Sequence, residues 1–408
     1  MVQKNDARNE PGPENRPLSG SLRGRAVVVH GGGPTPVLNA SLAGLISETQ
    51  KHAEITALYG ARSGAAGVLK EELIDLSQCD AGTLQSLRVA PGSAIGTSRQ
   101  DIQPSDYEQM VEVFRRREIR FVFYTGGNGT MGSAMRIDQY ARDSGYDLAV
   151  IGVPKTIDND LMQTDHTPGY ASCARFFAHA VRDIGADNRG LPPPIEVVEV
   201  LGRNAGWVVA ATALARSRDD DPPNLIYFPE QGIGVDRMCA DVERVYRRVG
   251  RCLVAVCEGQ RDEQGGWFGA ELNSKSGARD PLPGNMGQVI AKLIWARTGL
   301  RTRAEKPGLL GRSCEALASE VDRREAWMCG EAAVRAALAG VSGEMVAIRR
   351  IPASTYESET VMVPLAEVAG KERPFPSEWI SPENNDVSTQ FLDWVRPLVG
   401  EVKAHVRF

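Results

Sequence analysis

The 408-residue chain is 42% hydrophobic and 24% charged with a formal net charge of −5, the make-up of a soluble globular protein long enough for two or three domains with cores of their own. A mildly acidic balance argues against a nucleic-acid partner or a polybasic membrane surface, so phosphorylated ligands would have to be met by local clusters of Arg and Lys. No apolar run is long enough to span a bilayer, and seven cysteines without a C-x-x-C pair and five histidines without an H-x-x-x-H spacing point to reduced thiols in a cytoplasmic protein, with neither disulfides nor zinc or His-based metal sites expected.

Residues 1–22 carry Asn, Pro, Glu and Arg with almost nothing to bury. A disordered tail is expected there, since it lacks the apolar core of a secretory signal and is too acidic for a typical transit peptide. From Arg25 the stretch RAVVVHGGGPTPVLNASLAGLISE reads as a strand, a glycine-rich turn and a helix. Glycines at such a turn let the backbone approach an anion, and the helix amino terminus offers it free N–H groups. The same pattern also suits a tight turn that holds no ligand. It is not a G-x-x-x-x-G-K-[ST] loop, which occurs nowhere in the chain.

Strand character returns at Ile55 to Tyr59, and VAPGSAIGTSRQD (Val89 to Asp101) then gives a Gly/Ser/Thr-rich loop holding Arg99. An amphipathic helix is expected over 106–119, with Met110, Val111, Phe114 and Ile119 on one side. It leads into a strand (Phe121 to Tyr124), the turn Gly126-Gly127-Asn128-Gly129-Thr130, a helix, and a second strand (Leu148 to Val153) that runs into GVPKTIDND. This is a βαβ unit, so the two turns leave the same edge of one parallel sheet, which is the edge where open α/β sheets bind ligands.

In that last motif Asp158 and Asp160 alternate with Asn159, which puts both carboxylates on one side of an extended or turning backbone, beside the cation Lys155. A carboxylate there can take a proton from a hydroxyl, its neighbour can hold Mg²⁺, and the lysine can neutralise phosphate. The alternative is a polar turn after a strand.

The alternation continues through PPIEVVEVLGRNAGW, NLIYFPE (Asn224 to Glu230), a helix, and CLVAVCEG (Cys252 to Gly259). A polar, Gly-rich surface excursion is expected over 260–281 and a helix around Met286 to Arg297. Arg301, Arg303, Lys306 and Arg312 follow at a presumed turn, where they either solvate a surface or bind phosphate. A hairpin-like EMVAIRRI/TVMVPLAEV pair and an aromatic-containing close end the chain. Strands and helices alternating at this pace mean an α/β fold with parallel sheet.

Taken in order, GGGPTPVLNASLAG, GTSR, YTGGNGTMGSA, GVPKTIDNDLMQTDHTPGY, VVEVLGRNAGW, FPE, CEG and KPGLLGR resemble the phosphofructokinase family, with the closest likeness to its pyrophosphate-dependent branch, over residues 25 to about 345. The resemblance implies two parallel-sheet α/β domains with the active site in the cleft between them. The donor-binding domain would comprise 23–168 plus 313–350, the sugar-phosphate domain 169–312, and a C-terminal extension 351–408. It implies a homodimer or homotetramer whose sites borrow residues across a subunit boundary. Carried over by position, Asp158 is the base acting on the 1-hydroxyl of fructose 6-phosphate, with Thr156 and Asp160 beside it, Lys155 on the transferred phosphoryl group and Arg99 stabilising charge. Gly32, Gly33, Gly126, Gly127, Asn128, Gly129 and Thr130 would line the donor site, Gly202, Arg203 and Glu230 would hold the sugar, and Arg303 and Arg312 its 6-phosphate. Mg²⁺ would rest on Asn128, Asp158 and Asp160.

Three departures from the family pattern stand out. Asn128 replaces the Asp of the usual G-G-D turn and brings a neutral oxygen. Gly129 leaves open the space an acidic side chain fills in the pyrophosphate branch, as in ATP users, whereas Lys155 favours pyrophosphate. Leu309 and Gly311 replace an aromatic or His and a Gln in the phosphate grip. The reading is therefore pyrophosphate ahead of ATP as donor, fructose 6-phosphate or another ketose phosphate such as sedoheptulose 7-phosphate as acceptor, and, as an alternative of another class, a sugar-phosphate-binding regulator without turnover.

Overall fold

The structure, a computed structural model, describes residues 22–191, 195–268 and 285–407. The tail expected over 1–22 lies outside them except for Leu22, as does most of the excursion expected over 260–281.

Among the described residues eleven strands form two sheets. The seven-stranded sheet contains β1 (Gly24–His30), β2 (Ile55–Ala61), β3 (Leu73–Asp75), β4 (Ile119–Gly126) and β5 (Ala149–Pro154). The four-stranded sheet contains β6 (Ile195–Val200), β7 (Leu225–Ile226), β8 (Cys252–Cys257) and β9 (Thr302–Glu305), and β10 (Glu344–Ile351) and β11 (Glu357–Pro364) return to the first. Their orders are β11-β10-β5-β4-β1-β2-β3 and β7-β8-β6-β9. Within the first, the five central strands run parallel and only the edges β11 and β3 are antiparallel; the second is parallel throughout. The expected α/β class is what is found.

Parallel strands are buried on both faces and so need near-continuous apolar runs, and β4 illustrates why its sequence obeys. Val122 and Tyr124 enter one core, with Met110 and Phe114 of the helix Pro104–Arg116, while Phe121 and Phe123 enter the core on the opposite face with Leu42 and Leu45. The second sheet is flanked in the same way: Val197 packs with Met238 and Ile290, and Val198 with Phe177 and Val208.

Three expectations are corrected. The cations of RTRAEK do not share a turn, because Thr302–Glu305 pairs with β6 and becomes an edge strand of the second sheet. NLIYFPE holds only a two-residue strand. The segment from 351 is not simply an extension. β11 completes the first sheet, and the chain then crosses to the second unit, where Trp207 meets Phe375, Trp379 and Trp394 at ring-centroid distances of 5.2, 5.8 and 5.3 Å. Burial of these large rings holds the carboxyl-terminal segment against the rest of the molecule.

Candidate active site

β4 and β5 are neighbours in register, Gly126 opposite Pro154, so the turns that follow them begin side by side. The Lys155 N–H donates to Gly126 O at 3.1 Å, and Asn128 Nδ2 donates to the Asp160 carboxylate at 2.9 Å. The glycine loop after β1 joins them. Lys155 Nζ donates to Gly31 O and Gly33 O at 2.9 and 2.6 Å, and the Gly32 N–H and carbonyl are tied to Ser98 O and Thr97 Oγ1 at 2.8 and 2.7 Å. The latter pair delivers Arg99 to the same place.

What these loops enclose is a cleft of about 820 Å³. Its floor is the carboxyl edge of β1, β4 and β5, with the free N–H groups of the first turn of the helix Asn128–Asp143 opening on it. The facing wall comes from the second sheet as Leu201 and Glu258. Gly33 marks the meeting point: a methyl group there would stand 2.7 Å from Arg312 Nη1 and 2.9 Å from Arg99 Nη2, so both guanidinium ends would have to shift. Three cations, Lys155, Arg99 and Arg312, thus converge on one backbone turn.

That convergence is electrostatically uncomfortable. Burial pushes Lys155 down to about 8, with Arg99 and Arg312 adding to the shift and Asp158 opposing it. Arg312 is likewise lowered, by burial and by Arg99. Like charges held this close need a multivalent anion between them. Opposite the cations, Asp158 is pushed up to about 7, first by its recessed position and then by the Asp160 and Glu258 carboxylates. A carboxyl group so placed takes and returns a proton readily near neutrality. Its own N–H is held by Thr156 Oγ1 at 3.1 Å, which orients the turn.

Asn128 Oδ1 and Asp160 Oδ1 are buried oxygens without a hydrogen-bond partner among the described residues. Such a pair suits a hard cation. No group of three or more His, Cys, Asp or Glu among the described residues forms a self-sufficient metal cage, so a Mg²⁺ ion would complete its shell with ligand oxygens and water.

The cleft gathers Gly32, Gly33, Arg99, Gly127, Asn128, Gly129, Thr130, Lys155, Thr156, Asp158, Asp160 and Arg312. Gly126 lies just beneath, packed against Thr130. Gly202, Arg203, Glu230 and Arg303 are not in its wall. Glu230 instead accepts from the N–H groups of Gly206 and Phe375, both at 2.8 Å, and Arg303 is exposed on the edge strand β9. Glu258 is a charged wall residue that sequence reasoning left unassigned. Its signal was present, because it closes an apolar parallel strand by the same positional logic as Asp158.

The phosphofructokinase family model matches residues 25–337. The pyrophosphate--fructose 6-phosphate 1-phosphotransferase of Rhodospirillum rubrum is 37% identical over 93% of this chain and 95% of that protein. The protein of the same name from Halomonas elongata is 34% identical over 92% and 91%. A crystal structure of a pyrophosphate-dependent phosphofructokinase from Marinobacter aquaeolei superposes with a TM-score of 0.84 at 33% identity, over 93% of this chain and 92% of that one.

Proposed function

The chain belongs to the phosphofructokinase family, and we propose on that footing that it is a Mg²⁺-dependent phosphotransferase moving a phosphoryl group from pyrophosphate to the 1-hydroxyl of fructose 6-phosphate, giving fructose 1,6-bisphosphate. The observation that carries this reading is the opposition, in one cleft, of the raised Asp158 carboxyl to the three cations around Gly33. Phosphoryl transfer asks mainly for positioning, a base and fixed positive charge.

In this mechanism Asp158 takes the proton of the 1-hydroxyl while its oxygen forms the new P–O bond and the bond to the departing phosphate breaks. Lys155 and Arg99 hold the transferred group, and the glycine loop and the helix turn at Asn128–Thr130 hold the donor. Asp160 and Asn128 would hold Mg²⁺, which when bound neutralises donor oxygens. Arg312 grips the 6-phosphate. Arg303, exposed on an edge strand, is read as offered to the site of a neighbouring copy in a homodimer or homotetramer, and Gly202, Arg203 and Glu230 as framing the sugar side through the loops they belong to. The division into a donor side (23–168 with 313–350) and a sugar side (169–312) belongs to the same reading.

Gly129 favours a second reading in which ATP is the donor, because nothing stands within 4 Å of the space a side chain there would fill. A matrix of pyrophosphate and ATP against fructose 6-phosphate and other ketose phosphates, with Mg²⁺ and with Asp158→Ala as control, tests both. Turnover is expected from pyrophosphate and fructose 6-phosphate. Product from ATP alone would reverse the donor assignment, product only from another ketose phosphate would move the acceptor, and binding without turnover under every donor would make the chain a regulator.

A further inference from the structure

Asn159, between the two aspartates of the cleft, has a left-handed backbone (φ 56°). The backbone carbonyls of Asn159 and Asp160 at that turn lie outside the named helices and strands, and Asn128 Nδ2 reaches Asp160 O only at 3.4 Å. Both carbonyls are met by a segment distant in sequence and outside the 25–337 match to the family model. Arg373 donates to Asn159 O from Nε at 3.1 Å and from Nη2 at 2.8 Å, and from Nη1 to Asp165 O at 2.9 Å and to Thr164 O. The Arg373 N–H donates to Asp160 O at 2.7 Å. One arginine therefore ties together the two ends of the 159–165 loop that directly follows Asp158.

The same short segment also holds the loops that follow β6 and β7. Glu372 accepts from Asn204 Nδ2 at 3.2 Å to each carboxylate oxygen, next to the Gly202–Arg203 turn. Trp207 Nε1 donates to Arg373 O at 3.3 Å, and the guanidinium lies 4.6 Å from the Trp207 ring centroid. Phe375 N–H donates to Glu230 Oε1, which also takes the Gly206 N–H. Two residues expected on the sugar side but absent from the cleft wall, Arg203 and Glu230, are thus in or beside the loops this segment grips.

We propose that Glu372–Phe375 is a strap that sets the distance between the Asp158 turn and the sugar-side loops, with Arg373 as its positioning residue. The proposal rests on the phosphotransferase reading above. Arg373 touches no reacting atom in it, and its side chain acts through the carbonyls of Asn159, Thr164 and Asp165. A base held about 1 Å from its productive place can lose on the order of 10²-fold in rate, which is the size of effect at stake.

The test compares full-length wild type with Arg373→Met, Arg373→Lys and Glu372→Ala, by steady-state kinetics in both reaction directions and by amide hydrogen exchange over 156–165. Arg373→Met keeps the apolar stem and removes the fork. It should lower kcat about 10²-fold in both directions, leave the pyrophosphate KM within about threefold, and speed exchange over 156–165 at least about tenfold while β1 and β4 stay protected. Arg373→Lys should recover only part of the loss, because an ammonium cannot match several carbonyls at once. Wild-type kcat or wild-type exchange in folded Arg373→Met overturns the proposal. If that variant does not fold, Glu372→Ala decides, since Glu372 is exposed: a raised acceptor KM with unchanged melting temperature supports the strap, and unchanged kinetics overturn it. A wild-type protein without turnover on any donor would instead sink the functional reading and leave the exchange test standing.

Discussion

The carboxyl edges of the two sheets contribute to the cleft in different ways. From the seven-stranded sheet come three consecutive-strand loops that meet as a unit, with Lys155 hydrogen-bonded into the glycine turn and Asn128 to Asp160. From the side of the four-stranded sheet Leu201, Glu258 and, after β9, Arg312 reach the cavity among the described residues, and the remaining expected residues are spread among an edge strand, a backbone cap and a turn held by the carboxyl-terminal strap. A site half built by adjacent parallel strands needs only local sequence to be correct. A half built from separate segments needs the whole chain.

If the donor half is the chemical half, breaking it should be far more damaging than breaking the other. Asp158→Asn is expected to lower kcat about 10³-fold without loss of fold, because the carboxylate is held against its preference. The sign can be followed with pH. A carboxyl group raised to about 7 in the folded protein loses its share of stability as pH climbs from the ordinary carboxylate range through that value, so a chemical-denaturation series should fall less over that interval in Asp158→Asn than in wild type. Equal slopes would mean Asp158 titrates normally.

Lys155 gives the next largest effect, about 10²-fold in kcat/KM for Lys155→Met. Asp158 must be ionised to act and Lys155 protonated, so kcat/KM should rise with pH through about 7 and decline above about 8. Lys155→Arg, which stays charged, should push the alkaline decline upward. A decline that does not move assigns it to another group.

How far the chain could be read beforehand follows the same division. Strands β1, β4, β5, β6 and β8 were legible because each is an apolar run closed by a Gly or acidic turn, and the turns at 126–130 and 152–160 were legible because adjacent parallel strands had to bring them together. Arg303 was misread as lying in a turn because its four-residue edge strand has polar neighbours and no apolar run. Glu258 was visible in principle and passed over in favour of Glu230, since both close an apolar stretch and only tertiary packing turns one into the cleft and the other onto backbone N–H groups. Arg373 had no local signal at all: its role exists only once the chain has returned across the Asn159 turn.

A smaller effect probes the sugar half. If Arg303 serves a neighbouring copy, Arg303→Ala should raise the acceptor KM about tenfold with little change in kcat. Mixing it with inactive Asp158→Ala should restore activity beyond that of either parent, because hybrid assemblies then contain an intact site. No gain after subunits have demonstrably exchanged would return Arg303 to the role of a surface cation.

The smallest expected change sharpens the donor half itself. Gly129 is exposed in the first turn of its helix, with open space where a side chain would go, and an aspartate there is stabilising to the helix by about 0.3–1 kcal/mol, so Gly129→Asp should fold. Its carboxylate would occupy the room that a donor longer than pyrophosphate must cross, while Lys155 and Arg99, which grip the transferred group, stay as they are. The ratio of kcat/KM for pyrophosphate to that for ATP, measured in wild type and variant, isolates this point. Pyrophosphate use should stay within about fivefold while any ATP use falls further. A variant that loses both donors equally would show that charge at this turn, rather than space, governs the choice, and would shift the weight of donor selection onto Lys155.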